Sequence, residues 1–266
     1  TVPSSGWKIE KVSDRKVRDE WKPLWGKRAV VEDHFNELVI DLVNPAGQPE
    51  RMQLVVRGYN DGFAFCYKIP DGEGPRVNVQ SELTAYNFAG DYTAWFYNGE
   101  NHNIGPEKLT ETDGTRLPVM TVKAGDKHYM AIHEACLETG APLVLQSKGG
   151  ESLFSVASKP TSLSPGYTSA WRVVLYGTTP GVLTDSHLLE LLNPDPDSRY
   201  DFSWVKPGLA VWDWRINGAV WDGFTYGMSY PSWVRMVDFA AEQGFKYLVL
   251  DANWYGPEFE SDSDPV

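Results

Sequence analysis

Short runs of aliphatic and aromatic residues, each stopped by a turn sequence, fill the first two-thirds of the chain. Residues 52–59 end at an Asn-Asp-Gly turn, and residues 63–69 follow at once and end at a Pro-Asp-Gly turn. An Asp-Gly pair between two such runs is a strong hairpin signal, because these residues tolerate the backbone angles of a tight turn. Further strands are predicted at residues 37–43, 119–123, 129–137, 143–145, 153–156 and 170–176. Many short strands with regular turns predict a mainly β fold, an antiparallel sandwich.

The pattern changes near residue 182. Residues 185–192 contain four leucines and predict a short helix, which the Asn-Pro-Asp-Pro-Asp run at 193–197 ends. We therefore predict a β-sandwich domain at residues 1–182 and a helical linker at residues 183–204.

The last part of the chain has a β-α-β pattern. Residues 209–214 and 245–251 predict buried strands, and residues 232–243 between them carry apolar side chains at helical spacing, with Gly244 as the cap. A crossover of this kind joins parallel strands. Two strands and one helix cannot cover both faces of a parallel sheet. We therefore expect residues 205–266 to be the beginning of a larger α/β domain that is cut short.

Charge and composition exclude several classes of partner. The chain has 266 residues, with 24 basic and 36 acidic side chains and a formal net charge of -12. Nucleic acids and anionic membranes attract basic surfaces, so we expect neither as a partner. The acidic balance and the two cysteines, Cys66 and Cys136, favour a periplasmic or secreted protein. The cysteines either form one bridge or stay buried as small apolar side chains.

Aromatic residues are abundant, with 11 Trp, 13 Tyr and 11 Phe. Flat rings stack on the apolar faces of sugars, and they also fill large cores. Both interpretations stay open on composition alone. If the rings bind sugar, Trp95, Phe96 and Tyr97, or Trp7 and Trp21, are the residues that would form a platform.

Glu134 is the first candidate for a functional residue. Alternation along the strand at 129–137 places it on one face with Met130, Ile132 and Cys136. A carboxylate on an apolar face needs a cation, a metal ion or a dense set of hydrogen bonds. Carboxylate oxygen is a standard ligand of calcium. The alternative is that the strand ends early and that Glu134 points to solvent.

The ends of the two buried strands form a second candidate site. Asp213 and Trp214 follow the first strand, and Asp251 and Trp254 follow the second. Parallel α/β barrels carry their chemistry at the carboxyl ends of the strands, and paired carboxylates cleave glycosides. These four residues are therefore candidates for substrate binding. The alternative is that the two aspartates only support the rim through hydrogen bonds.

An ordered series of motifs resembles glycoside hydrolase family 97, the α-glucosidases and α-galactosidases. The resemblance runs through most of the chain. The motifs are WKPLWG at 21–26, FNEL at 35–38, YNDGFAF at 59–65, HEACL at 133–137, SAWR at 169–172, LLNP at 191–194, SWVKPG at 203–208, VWDW at 211–214, VDFAAE at 237–242 and LDANWY at 250–255.

This resemblance implies an N-terminal β-supersandwich followed by a catalytic (β/α)8 barrel, of which this chain contains the first β-α-β. It implies a calcium ion held in part by a glutamate of the sandwich, and the matching residue is Glu134. His133 departs from the serine or threonine that the family has there. The catalytic acid and the nucleophile or base of the family lie beyond residue 266, so no catalytic residue is assigned here.

The expected function is that of a calcium-dependent, exo-acting α-glycosidase hydrolysing terminal α-glucosides or α-galactosides. The expected partners are an oligosaccharide or α-glycoside substrate and the remaining part of the barrel. A non-catalytic carbohydrate-binding sandwich is the alternative, and a structural or assembly domain is a third interpretation. The β-α-β segment argues against the alternative, because a binding module has no use for part of a barrel.

Overall fold

The computed structural model describes residues 5–72, 76–138, 141–252, 254–258, 260–261 and 263. The chain divides into two compact units, Thr1–Pro196 and Asp197–Val266. This division falls inside the predicted linker. None of the helices in the described ranges is long and apolar enough to cross a membrane.

The first unit is built almost entirely of strands. They are β1 (Lys8–Trp21), β2 (Val31–Val43), β3 (Arg51–Tyr59), β4 (Gly62–Lys68), β5 (Val77–Val79), β6 (Ala85–Asn87), β7 (Thr93–Tyr97), β8 (Ile104–Lys108), β9 (Asp113–Lys123), β10 (Tyr129–Ala135), β11 (Leu145–Lys148), β12 (Leu153–Val156), β13 (Thr161–Leu163) and β14 (Trp171–Gly177). Two short helices follow, α1 (Pro180–Asp185) and α2 (Leu188–Leu191), where one helix was predicted.

The strands pair antiparallel in the order β1-β2-β3-β4-β14-β10-β9-β11-β12-β6, with β7 on β9, β8 on β7 and β13 on β5. The mainly β, antiparallel fold is therefore confirmed. The predicted hairpin is confirmed as well, because Tyr59 pairs with Gly62 across a two-residue turn. Strand β9 has two sets of partners. Residues 117–123 pair with β7 and β10, and residues 113–116 pair with β11. It therefore connects the β1–β10 part of the sheet to the β11–β6 part.

Two apolar clusters lie on opposite sides of strand β10. Ala131 and Ala135 belong to the first cluster, with Cys66, and Leu188 at the start of α2 packs into it. Ile132 belongs to the second cluster. This is the predicted alternation of the strand.

The two cysteines are unpaired. Cys66 is fully buried, and burial raises the pKa of its thiol to about 11. Cys136 was predicted on the same face as Glu134, but it lies beyond the end of β10, with a φ of 54°, and packs against the first cluster with Cys66. The strand ends at Ala135, so the alternation no longer applies to residue 136.

Strand β1 was not predicted. Its fourteen residues are mostly charged, and most of their side chains are exposed. It is the edge strand, and its register on β2 runs from Lys8 opposite Val43 to Trp21 opposite Val31. Charged residues keep such an edge from pairing with other chains. They also remove the apolar alternation on which prediction depends.

The second unit contains the predicted β-α-β. Strands β15 (Ala210–Trp212) and β18 (Tyr247–Val249) pair in parallel, and helix α4 (Tyr230–Gln243) connects them. Gly244 ends the helix with a φ of 71°, as its predicted role as the cap requires. The short helix α3 (Asp213–Ile216) and the hairpin of β16 (Val220–Trp221) and β17 (Phe224–Thr225) lie between β15 and α4.

Glycine is required at position 62 by close approach of the neighbouring strand. A Cβ atom there would lie 2.3 Å from the carbonyl oxygen of Val174 in β14, whereas a Cβ at Gly58 in β3 meets nothing within 4 Å. We expect Gly62→Ala to lower the free energy of unfolding by roughly 1–3 kcal/mol, because the two strands must move apart. Gly58→Ala is the matched control. Urea unfolding of both variants tests this, and equal midpoints would contradict it.

Candidate functional site

Three charged side chains meet on the sheet of the first unit, and we call them the charged triad: Glu82, Glu134 and Arg172. Glu134 in β10 and Arg172 in β14 are direct partners in the strand register. Glu82 lies in the segment between β5 and β6. Only 4% of the Arg172 side chain is exposed, and 11% of that of Glu134. The triad is therefore an interior group of charges.

Arg172 holds its two carboxylates differently. Its Nε and Nη2 donate to the two oxygens of Glu82, at 2.9 and 2.5 Å. Its Nη1 donates to Oε2 of Glu134, at 2.9 Å. The backbone N–H of Leu143 donates to the same oxygen, at 2.8 Å. Glu82 is thus bound through both oxygens and Glu134 through one.

The triad carries an excess of one negative charge when all three groups are ionised. Burial disfavours a charged guanidinium, but the hydrogen bonds and charges of Glu82 and Glu134 outweigh it and raise the pKa of Arg172 above its ordinary value. Arg172 therefore stays protonated. One guanidinium balances one of the two carboxylates.

The cation that a buried Glu134 needs is, in the described residues, the guanidinium of Arg172. This accounts for the carboxylate without a metal ion. No group of three or more His, Cys, Asp or Glu side chains that could hold a metal occurs in the part of the chain that the structure describes. By themselves, these residues do not form a calcium site. The role of Glu134 as a calcium ligand stays a prediction.

His133 is turned toward the backbone of its neighbour. Its Nδ1 accepts the N–H of Glu134, at 2.8 Å. Burial lowers the pKa of His133, although the charge of Glu134 opposes the shift. The ring is therefore neutral near pH 7, with its proton on Nε2.

A cavity of about 600 Å³ lies beside the triad, with Arg172 and Glu82 in its wall. Trp7, Tyr67 and Tyr167 are among the larger side chains that line it. Phe96 and Tyr97, which were suggested as part of a sugar-binding platform, do not form one flat surface. Phe96 is in the core and Tyr97 is exposed, because neighbouring strand residues face opposite ways.

The second candidate site lies at the carboxyl ends of β15 and β18. Asp213 is buried, with 1% of its surface exposed. Its Oδ1 accepts the backbone N–H of Asp251, at 2.9 Å, and its Oδ2 accepts Nε1–H of Trp233, at 2.8 Å. Asp251 in turn accepts Nε1–H of Trp212, at 2.6 Å. Asp213 thus contacts the backbone of Asp251 at the strand ends.

The two tryptophans are more accessible. Trp214 is 52% exposed and Trp254 is 48% exposed, so either ring has a surface that a sugar could contact. Their role in substrate binding stays a prediction. Asn253, which lies between Asp251 and Trp254 in the sequence, is outside the described residues.

Sequence reasoning missed Arg172 and Glu82. Arg172 had a signal, since it is the one charged residue in the predicted strand at 170–176 and such a residue needs a buried partner. Glu82 had none, because it lies in a segment without apolar alternation.

We expect Asp213→Ala to destabilise the second unit by roughly 1–3 kcal/mol, because it leaves two partly buried donors, Trp233 Nε1–H and the N–H of Asp251, without their acceptor. Hydrogen exchange of the amides in β15 and β18 measures this loss. Asp238→Ala, on the exposed side of α4, is the control and should leave the protection unchanged. Equal protection in both variants would show that Asp213 does not support the strand ends.

Two curated proteins are similar to most of the chain. The retaining alpha-galactosidase of Bacteroides thetaiotaomicron is 27% identical over 91% of this chain and 42% of its own length. The probable retaining alpha-galactosidase of Streptomyces bingchenggensis is 28% identical over 95% of this chain and 39% of its own length. The chain therefore spans about two-fifths of the length of these relatives.

Solved structures show the same fold. A glycoside hydrolase family 97 enzyme from Pseudoalteromonas sp. strain K8, in complex with acarbose, has a TM-score of 0.78 and 26% identity, and the match covers 95% of this chain and 41% of that one. A beta-arabinopyranosidase has a TM-score of 0.75 at 19% identity, over 92% of this chain and 42% of that one, which is evidence of the fold alone.

The model of the glycosyl-hydrolase 97 N-terminal domain matches residues 3–194. This match covers more than half of the chain and includes the fourteen strands and the two α-helices described for the first unit. The chain belongs to the glycosyl-hydrolase 97 N-terminal family.

Proposed function

We propose that this chain is the N-terminal part of an exo-acting glycoside hydrolase that cleaves terminal α-galactosides or α-glucosides. The observation that carries the proposal is the match to two proteins named as retaining or probable retaining alpha-galactosidases, each over more than nine-tenths of this chain. A family 97 enzyme of the same fold binds acarbose and, in another structure, panose. These oligosaccharides favour an α-glycoside substrate. The proposed location is periplasmic or secreted.

The second unit is proposed to begin the catalytic (β/α)8 barrel. Two parallel strands joined by a helix are the repeating unit of such a barrel, and its chemistry lies where the strands end. Asp213 holds the backbone after β18 in place there, through the N–H of Asp251. The catalytic carboxylates would lie on later strands, and this chain would supply the framework and the exposed rings of Trp214 and Trp254.

The names of the relatives favour retention of anomeric configuration. A retaining enzyme uses one carboxylic acid to protonate the leaving oxygen and a second carboxylate, about 5 Å away, as the nucleophile. Neither is assigned to a residue of this chain. Its residues would bind and orient the substrate and exclude water from the reacting centre.

Calcium is proposed as the cofactor, with Glu134 as one ligand. When bound, the ion would supply positive charge that polarises oxygen atoms at the sugar site. Glu134 is suited to this role because its Oε2 takes both hydrogen bonds, from Arg172 and Leu143, while no described residue donates to Oε1. The resemblance to the family implies that the missing ligands lie on later barrel strands, beyond residue 266.

We expect the complete protein to hydrolyse p-nitrophenyl α-galactoside or p-nitrophenyl α-glucoside, with the sugar product first appearing as the α-anomer. Proton NMR of the anomeric signal during turnover measures both the rate and the stereochemistry. Initial release of the β-anomer would contradict retention. No hydrolysis of either substrate would contradict the glycosidase proposal.

Calcium removal gives a second test. We expect exhaustive chelation to abolish most of the activity of the complete protein, and calcium to restore it. Glu134→Gln should weaken calcium binding by about 10-fold or more, because it removes a charged ligand. Glu138→Gln, in an exposed position just after the end of β10, is the control. Calorimetric titration measures the Kd, and full activity without calcium would contradict the proposal.

A further inference from the structure

A depression of about 250 Å³ lies on the first unit, on the three strands that form one edge of the large sheet. Arg18 in β1 lies opposite His34 in β2, and Asn36 in β2 lies opposite Gly58 in β3. Residues that are directly opposite, and residues two apart in one strand, share a face of the sheet. These four residues therefore surround the depression on one face. Its lining is Arg18, His34, Phe35, Asn36, Gly58, Tyr59 and Asn60.

Gly58 leaves space in this depression. A Cβ atom at Gly58 would meet nothing within 4 Å. Pockets for drug-sized ligands begin at roughly 300 Å³, and the volume here is below that. The depression therefore has room for a small ligand.

The guanidinium of Arg18 is held by backbone carbonyl groups and not by a carboxylate. Its Nη1 donates to the carbonyl oxygen of Val17 at 2.5 Å and to that of Phe35 at 3.2 Å. Among the described residues, no carboxylate forms an ion pair with Arg18. Arg18 thus brings a positive charge to the lining that no acid compensates.

This arrangement is an exception in the first unit. The other arginines of the unit that donate hydrogen bonds each bind a glutamate, and they are Arg15, Arg51, Arg57, Arg116 and Arg172. An arginine is always protonated, so it needs a negative partner or water. Arg18 is therefore the hydrogen-bonded arginine of this unit whose charge is left for a ligand.

The other polar side chains of the lining add hydrogen-bond donors and no negative charge. Asn36 and Asn60 have amide N–H groups, and His34 has a ring N–H. Lys16 lies opposite Asn36 in the register. None of the lining residues is an acid, in a chain with a formal net charge of -12. One acid contacts the lining, since Oε2 of Glu32 lies 3.5 Å from Nδ1 of His34. The donors and the charge of Arg18 favour an anionic ligand, and Glu32 opposes it.

We propose that this depression binds a small oxoanion, a carboxylate or sulfate group, and that Arg18 pairs with its charge. The planar fork of a guanidinium matches two oxygens of such a group, and hydrogen bonds between ions are the stronger ones. Asn36 and Asn60 would donate to the remaining oxygens. The site is separate from calcium and from the proposed catalysis. A free anion and an anionic group on a sugar both supply this chemistry, and the experiment distinguishes them.

The experiment is saturation-transfer difference NMR on the complete protein. Galacturonate is the probe, neutral galactose is the uncharged comparison, and inorganic sulfate is the competitor. We expect a galacturonate signal that sulfate displaces. Arg18→Gln should raise the Kd of this site by at least about 10-fold, because a hydrogen bond to a charged group is lost. Arg28→Gln, which removes an exposed arginine outside the lining, is the matched control and should keep the wild-type Kd.

Two further variants change the site in opposite directions. Glu32→Gln removes the acid beside His34 and should lower the Kd by roughly two- to fivefold, the size expected of an exposed charge. Gly58→Leu places a side chain in the open space and should abolish the Arg18-dependent signal. Thermal unfolding of each variant, followed by circular dichroism, verifies that the fold is retained.

The outcomes separate the two sources of the anion. Galacturonate binding more tightly than sulfate identifies an anionic sugar as the ligand, and sulfate binding at least as tightly identifies the free anion. The proposal is wrong if galactose gives the same Arg18-dependent signal. It is also wrong if Arg18→Gln binds galacturonate and sulfate as Arg28→Gln does.

Discussion

Strand β14 is the element on which the sandwich depends, because it lies between β4 and β10 and joins two parts of the chain that fold locally. Strands β1 to β4 are hairpin partners in sequence order. Strand β14 comes more than a hundred residues after β4, yet Arg172 lies opposite Phe65 in one register and opposite Glu134 in the other. Pairing of this kind closes a long loop of chain, which is entropically costly, and burial on both faces offsets the cost.

The same strand brings a charge into the interior. An isolated guanidinium would destabilise the sheet by several kcal/mol, and the carboxylates of Glu82 and Glu134 accompany it. A second charged side chain, Arg57, is held on the other face of the sheet by aromatic rings. Its Cζ lies 4.4 Å from the ring centre of Phe35 and 4.8 Å from that of Trp171. Charge is thus paired inside the sheet on both faces.

The sequence was sufficient wherever a local rule determines the geometry. The Asp-Gly turn predicted the β3–β4 hairpin, and helical spacing with Gly244 predicted α4. Alternation identified Glu134 as a carboxylate that needs a cation. It could not identify Arg172 as that cation, since the pair forms only when β14 reaches β10.

The failures have equally specific causes. Strand β1 is held in place by its register with β2 and carries no apolar pattern of its own. Leu143 was predicted to begin a strand, but β11 begins at Leu145, and the N–H of Leu143 binds Glu134 instead. At the second site, the pattern placed Asp213 and Asp251 at the ends of the two predicted strands. The contact of Asp213 with Trp233 depends on the side-chain packing of α4, which a sequence pattern does not encode.

The triad has a consequence for recombination between related sandwiches. Its members come from three separate segments of the chain, and each depends on the other two for a partner of opposite charge or for the position of that partner. A chimera that exchanges the segment around Glu82 but keeps β10 and β14 would leave Arg172 with one carboxylate, unless the new segment also places a carboxylate there. Crossover points placed at strand boundaries would still separate the three residues. A chimera therefore has to take all three from the same parent, or each missing residue has to be introduced by substitution.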